Sequence, residues 1–223
     1  MLDSPFALTV ALSILTATSL TILSLPFALW LAYSRSLWTT VGEVFITLTL
    51  VLPPAVLGYF LLISFSPKTH LGHFISLLIG HPLPFSFEGL LLASILYSLP
   101  FSVQPMIQAF RSVPRSFLES SISLGAGSFV RLIRVVLPLS YTGILTGWIL
   151  SFAHTVGEFG VVLMIGGNIP GRTQTLSLKA YDDLLSMEPR KAEGSIMYLI
   201  VFSLLAVLIM SLLQRHGKWT KED

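Results

Sequence analysis

The stretch Glu119–Pro138, ESSISLGAGSFVRLIRVVLP, decides how the rest of the chain is read. It carries Glu119, Arg131 and Arg134, places Gly125 and Gly127 two residues apart, and ends in a proline. Its surroundings are apolar enough for lipid. Of 223 residues, 53% are hydrophobic and 11% charged, and the mean hydropathy is +0.82. A soluble domain carries about 25% charged residues. This chain lacks the polar surface for that, so it is expected to be an all-α integral membrane protein. The net charge of +2 is small, so the placement of charges matters more than their sum. The absence of cysteine excludes disulfides, thiolate metal sites and cysteine nucleophiles. The five histidines show neither His-x-x-x-His nor HExxH spacing, so no metal site is expected. Without a GxxxxGK[ST] loop the chain has no cradle for nucleotide phosphates.

Uncharged runs of about 20 residues span a hydrocarbon core of roughly 30 Å. Five are expected: 6–33, 44–66, 89–110, 135–165 with an interruption at Glu158, and 194–214. Met1–Pro5 lacks the basic start of a cleaved signal, so the first run is expected to be retained. No repeat or linker divides the chain, which reads as one helical bundle over 1–223. Alternate breaks hold Arg35, then Arg111, Arg115, Arg131 and Arg134, then Arg215, Lys218 and Lys221: eight of the 13 cations. The other side has Lys68, Arg172, Lys179, Arg190 and Lys191. Positive-inside bias therefore predicts a cytoplasmic C-terminus, an outside N-terminus beginning with Asp3, and a cytoplasmic loop at 111–134. With about ten residues after the last run, no regulatory module is expected there.

Within that loop the spacing predicts a short helix, with Ser112 as cap, Pro114 in the first turn and Gly125 as the stop. Phe117, Leu118, Ser121, Ile122 and Leu124 form an apolar stripe on it. So short a helix cannot bury its stripe alone; it lies on its own bundle, on lipid, or in a partner's groove. Arg131 and Arg134 follow on a second helical start, and Pro138 marks the beginning of the fourth span.

Glu119-Ser120-Ser121, three residues, Gly125, nine residues and Val135-Val136-Leu137-Pro138 together resemble the "EAA" signature of ABC importer permeases. The departure is Ser120-Ser121 in place of two alanines, which keeps the residues small. The resemblance implies a type I ABC importer transmembrane domain with about five spans and a coupling helix docking into a cleft of a cytoplasmic ATPase. Phe117, Leu118, Glu119, Ser120, Ser121, Gly125, Arg131 and Pro138 would make that contact. Leu50–Leu62 and Gly157–Thr175 look like the molybdate permease branch, close to the sulfate permeases. That likeness implies a homodimer in the cytoplasmic (inner) membrane of a bacterium or archaeon, with two ATPase subunits and an extracytoplasmic binding protein. ATP and Mg would sit on the partner subunit and no cofactor on this chain, and lipid rather than nucleic acid would surround it. Sulfate or thiosulfate is the alternative cargo. An ion-coupled secondary transporter would need midplane carboxylates, and only Glu158 is available. A scaffold without transport leaves the loop pattern unexplained.

Other residues are read on their own terms as pathway or gate. Pro53-Pro54, with Gly58 one turn on, break the second span, either as a flexible point lining the pathway or as a packing kink. Glu158 lies about 30 Å along a helix counted from Pro138, near the outer surface. A carboxylate repels a dianion, so its expected role is structural or gating, paired with His154, Arg172 or a dimer mate; the alternative is an acid resting among headgroups. Gly157, Gly160 and Asn168 in the same branch-like stretch join this set. No Lys or Arg lies inside the spans. That leaves hydroxyls such as Thr9, Thr16 and Ser19, or loop amides near Gly166-Gly167-Asn168, for a weak and transient path, with selectivity in the binding protein. The same hydroxyls suit helix packing equally well. The segment 166–175 is expected outside, facing the binding protein, with a short interfacial helix at 177–185.

Overall fold

A computed structural model describes residues 4–34, 36–187 and 189–219, with side chains described except at 189 and 214–219. Every regular element among the described residues is helical. Helix α1 (Pro5–Tyr33) begins where Ser4 Oγ accepts the Ala7 N–H at 3.1 Å and Pro5 occupies the first turn. Helices α2 (Leu37–Val51) and α3 (Pro54–Ser64) meet at 111°. The cause is local: Pro54 has no N–H to continue α2, and Pro53 is extended at ψ 134°. Helix α4 (His70–Ile79) is capped by Thr69 and stopped by Gly80 at φ +81°. Helix α5 (Phe87–Arg111) starts at Ser86, whose hydroxyl accepts the Gly89 N–H.

The expected cytoplasmic loop folds as α6 (Arg115–Ser123), α7 (Ser128–Arg131), a π turn at Leu132–Val136 and α8 (Leu137–Leu139). The π turn precedes Pro138, and its wider turn carries the Leu137 N–H back to Leu132 O. After a 66° bend come α9 (Tyr141–Gly157), α10 (Gly160–Gly166), α11 (Leu176–Leu185) and α12 (Pro189–Trp219).

Helices α1, α5 and α12 are each long and apolar enough to cross a membrane, and the two bent pairs bring the total to as many as five. The expected run 44–66 is two helices rather than one rod, and it begins earlier, so Glu43 lies on α2 and not in a break. The run 135–165 divides at Ser140 and again at Glu158-Phe159. The expected break at 67–88 holds a helix, α4, which leaves Leu71, Phe74, Leu77 and Leu78 exposed. The run 194–214 lies within α12. Asp3, Arg35 and Lys221, and the side chains of Arg215 and Lys218, on which the orientation also rests, are outside the described residues.

Helices α1, α5 and α9 pack against one another at the centre; α10 packs on α3, and α12 on α11 and α9. Lipid tails are as apolar as leucine, so close contact rather than water exclusion holds such helices together. Small residues supply that contact. A Cβ on Gly147 of α9 would lie 2.7 Å from Ser102 O of α5, and one on Gly143 would collide with Ala109. One apolar cluster, including Leu8, Leu12, Leu57, Leu90, Val161 and Leu178, surrounds α10. A second, including Leu31, Ile46, Met106, Phe110 and Val136, lies toward α6.

Candidate functional site

The loop α6–α8 is built to stay folded while exposing apolar side chains. Gly125, at φ +77°, closes α6: its N–H reaches Ile122 O and that of Ala126 reaches Ser121 O, both at 2.9 Å. These paired bonds satisfy the last carbonyls as a Schellman turn does. Pro114, extended, is the N-cap, whereas Ser112 closes α5 with its hydroxyl on Ala109 O. The expectation that Ser112 caps α6 and Pro114 lies in its first turn is therefore corrected: the residue before a helix must be non-helical, and Pro114 already is.

The stripe divides. Leu118 packs on the cluster near Phe110, and Ser121 is buried with its hydroxyl on Leu118 O. Phe117, Ile122, Leu124 and Phe129 are exposed, Leu124 by 87%. Glu119, Ser120 and Pro138 are exposed as well, and Arg131 is half-buried beside Tyr33 in a mostly apolar cavity of about 480 Å³.

The second group gathers where α3 meets α10. A Cβ on Gly58 would lie 2.8 Å from Met164 Cβ, and one on Gly160 2.6 Å from Pro54 Cβ. The two glycines thus let a proline-broken helix and a glycine-broken helix touch. Pro53 and Pro54 themselves are exposed, as is Gly157. Glu158, 4% exposed, caps α9 at the break. Its Oε2 accepts from Ser94 of α5 at 2.9 Å, and its backbone carbonyl accepts from Ser177 of α11 at 2.6 Å. Neither His154 nor Arg172 is its partner within the chain, contrary to expectation: His154 Nδ1 bonds Ser98 at 2.8 Å and its ring stacks on Phe101, and Arg172 is exposed. The burial also removes the reading of Glu158 as an acid resting among headgroups. Ser94 and Ser98 with His154, Thr155 and Glu158 form a polar seam between α5 and α9.

Asn168 departs from the pathway group. Its Nδ2 donates to Asp182 Oδ2 at 2.6 Å, and Gln174 Nε2 joins at 3.1 Å, so it fastens the 166–175 loop to α11. Thr9 is also a fastener: its hydroxyl donates to Pro5 O and accepts the Leu176 N–H at 2.8 Å. Thr16 is wholly buried and Ser19 half-buried.

Sequence reasoning missed a third group, Glu43, Gln104, Gln108 and Arg111. These line an open cavity of about 470 Å³ between α2, α5 and α9. The signal was present as Gln-x-x-x-Gln-x-x-Arg, a helical spacing that puts one polar face on an otherwise apolar span.

Residues 24–221 match the family of binding-protein-dependent transport system inner membrane components. The chain is 44% identical over 204 residues to the molybdenum transport system permease protein ModB of Azotobacter vinelandii, covering 91% of this chain and 90% of that protein. It is 30% identical over 226 residues to the protein of the same name in Escherichia coli strain K12, covering 100% and 98%. A putative molybdenum transport system permease protein of Bacillus subtilis, YvgM, is 31% identical over 187 residues, covering 84% and 82%.

Proposed function

Because the chain belongs to the binding-protein-dependent transport system inner membrane components, we propose that it is the permease of an ATP-driven importer of a tetrahedral oxyanion, molybdate or tungstate. The observation that carries the cargo is 44% identity across nine-tenths of the chain to a molybdenum transport permease. The coupling role rests on geometry. Leu118 and Ser121 bind the α6 loop to the bundle while Phe117, Ile122 and Leu124 are left bare, an arrangement suited to receiving motion from a protein partner. Two copies of the chain, two ATPase subunits and an extracytoplasmic binding protein complete the assembly, with α6 on the cytoplasmic side and ATP with Mg on the ATPase.

Glu158 acts in gating or assembly. It connects α5 to the α9–α10 break and lies next to the α3–α10 contact, so movement of α10 acts on its bonds to Ser94 and Ser177. The test is molybdate uptake by vesicles holding the reconstituted complex and loaded binding protein. Uptake that needs ATP and is resisted by excess sulfate supports the assignment; uptake of sulfate alone, or none with any oxyanion, refutes it.

A further inference from the structure

The cavity between α2, α5 and α9 has an unusual wall for a membrane-spanning bundle. Gln104, Gln108 and Arg111 share one face of α5, and Gln104 lies seven residues, about 10 Å, in from the α6 end. Both glutamines are exposed, and no hydrogen bond among the described residues engages either amide. Primary amides at that depth are costly against hydrocarbon, so this wall borders water or a polar guest.

At the mouth, Arg111 Nη2 donates to Glu43 Oε1 at 2.7 Å and to Leu31 O at 3.1 Å. Nη1 and Nε carry no bond among the described residues, so the guanidinium keeps N–H groups on these two nitrogens that can donate. Among the described residues, Glu43 is the only carboxylate lining the cavity, and it is already tied to the guanidinium.

We propose that this wall is a transfer site for a tetrahedral oxyanion, which Gln104, Gln108 and the unbonded N–H groups of Arg111 receive while Glu43 holds and partly neutralises Arg111. The assignment rests on the permease reading above and adds the place and donors of passage. An unpaired arginine facing a dianion would hold it; a paired one binds weakly enough to release it, as conduction requires. Glu43 is thus a positioning residue that sets release, and Arg111 a contact that sets capture.

The two roles separate experimentally. The full complex, reconstituted with its ATPase and loaded binding protein, is assayed with molybdate as the probe, and copurification of the ATPase reports assembly. Arg111→Gln is expected to lower uptake about tenfold, the loss of one charge-assisted contact. Glu43→Gln is expected to make molybdate added on the α6 side inhibit at about tenfold lower concentration. The double variant is expected to match Arg111→Gln. A merely structural ion pair predicts equal defects in the single variants and recovery in the double variant, and that result would overturn the proposal. If Arg111→Gln does not assemble, the Glu43→Gln inhibition shift decides, and its absence overturns the proposal too. A wild-type complex that moves no oxyanion would instead defeat the permease reading, whereas wild-type uptake with unaltered variants defeats the transfer site alone.

Discussion

Helix α5 has two polar faces that behave in opposite ways. On the inner face, Ser94, Ser98 and Ser102 are buried against α9, and the first two bond Glu158, His154 and Thr155. On the outer face, Gln104, Gln108 and Arg111 open onto a cavity. The difference shows how to sort polar residues in a membrane bundle. Where polar side chains are buried between helices, most of them bond within the chain and hold helices in place; where they are exposed on a wall of the bundle without a bond, something outside the chain must satisfy them.

The inner seam breaks most easily at its glycines. Gly147→Leu would drive a side chain into the α5 backbone at Ser102, and such overpacking costs about 3 kcal/mol. The expected outcome is a sharp loss of purified, folded protein, read by thermal melting in detergent. Survival at wild-type stability would mean that α5 and α9 do not touch as described. Next in size is Ser94→Ala, which strips Glu158 Oε2 of its donor and is expected to cost about 1–2 kcal/mol. Ser102→Ala is the internal comparison. Its hydroxyl has no hydrogen-bond partner among the described residues, so its removal should change stability by less than about 0.5 kcal/mol. Equal effects from the two serines would dissolve the distinction between a bonded and an unbonded seam residue.

Gly125→Asp acts far from both faces. Open space surrounds a Cβ there, so the cost is conformational, about 1 kcal/mol at a positive φ. The helices should still insert, while copurification of the ATPase subunit falls because the α6 turn no longer presents its side chains. A normal complex would count against the coupling role. Glu158→Gln is smallest in static terms, since it keeps an acceptor for Ser94. It is expected to alter the coupling of uptake to ATP hydrolysis more than the choice of oxyanion, and unchanged uptake and coupling would remove the gating role.

Much of this was legible in the sequence, for reasons that show where legibility stops. Hydropathy found α1, α5 and α12 because each contains a long apolar run with charges at or beyond its ends. Gly125 announced the end of α6 because few other residues tolerate that backbone. The 111° turn was foreshadowed by Pro53-Pro54, but the close packing of α10 on Gly58, a contact about a hundred residues away, is encoded by no local pattern. The partners of Glu158 were hidden for the same reason. Helical spacing pointed to His154, which turned instead to Ser98, while Ser94 came from another helix. Gln104 and Gln108 were passed over because they are uncharged, and a count of charges is blind to amides.

A wet outer face and a dry inner face of α5 are directly distinguishable, because the protein has no native cysteine. Gln108→Cys and Ser102→Cys, each in the assembled complex, would be exposed to a charged, membrane-impermeant thiol reagent from the α6 side. Gln108→Cys should react readily and be protected by molybdate, while Ser102→Cys stays unlabelled. Equal labelling at the two positions, or a Gln108→Cys that no reagent reaches, would contradict the account.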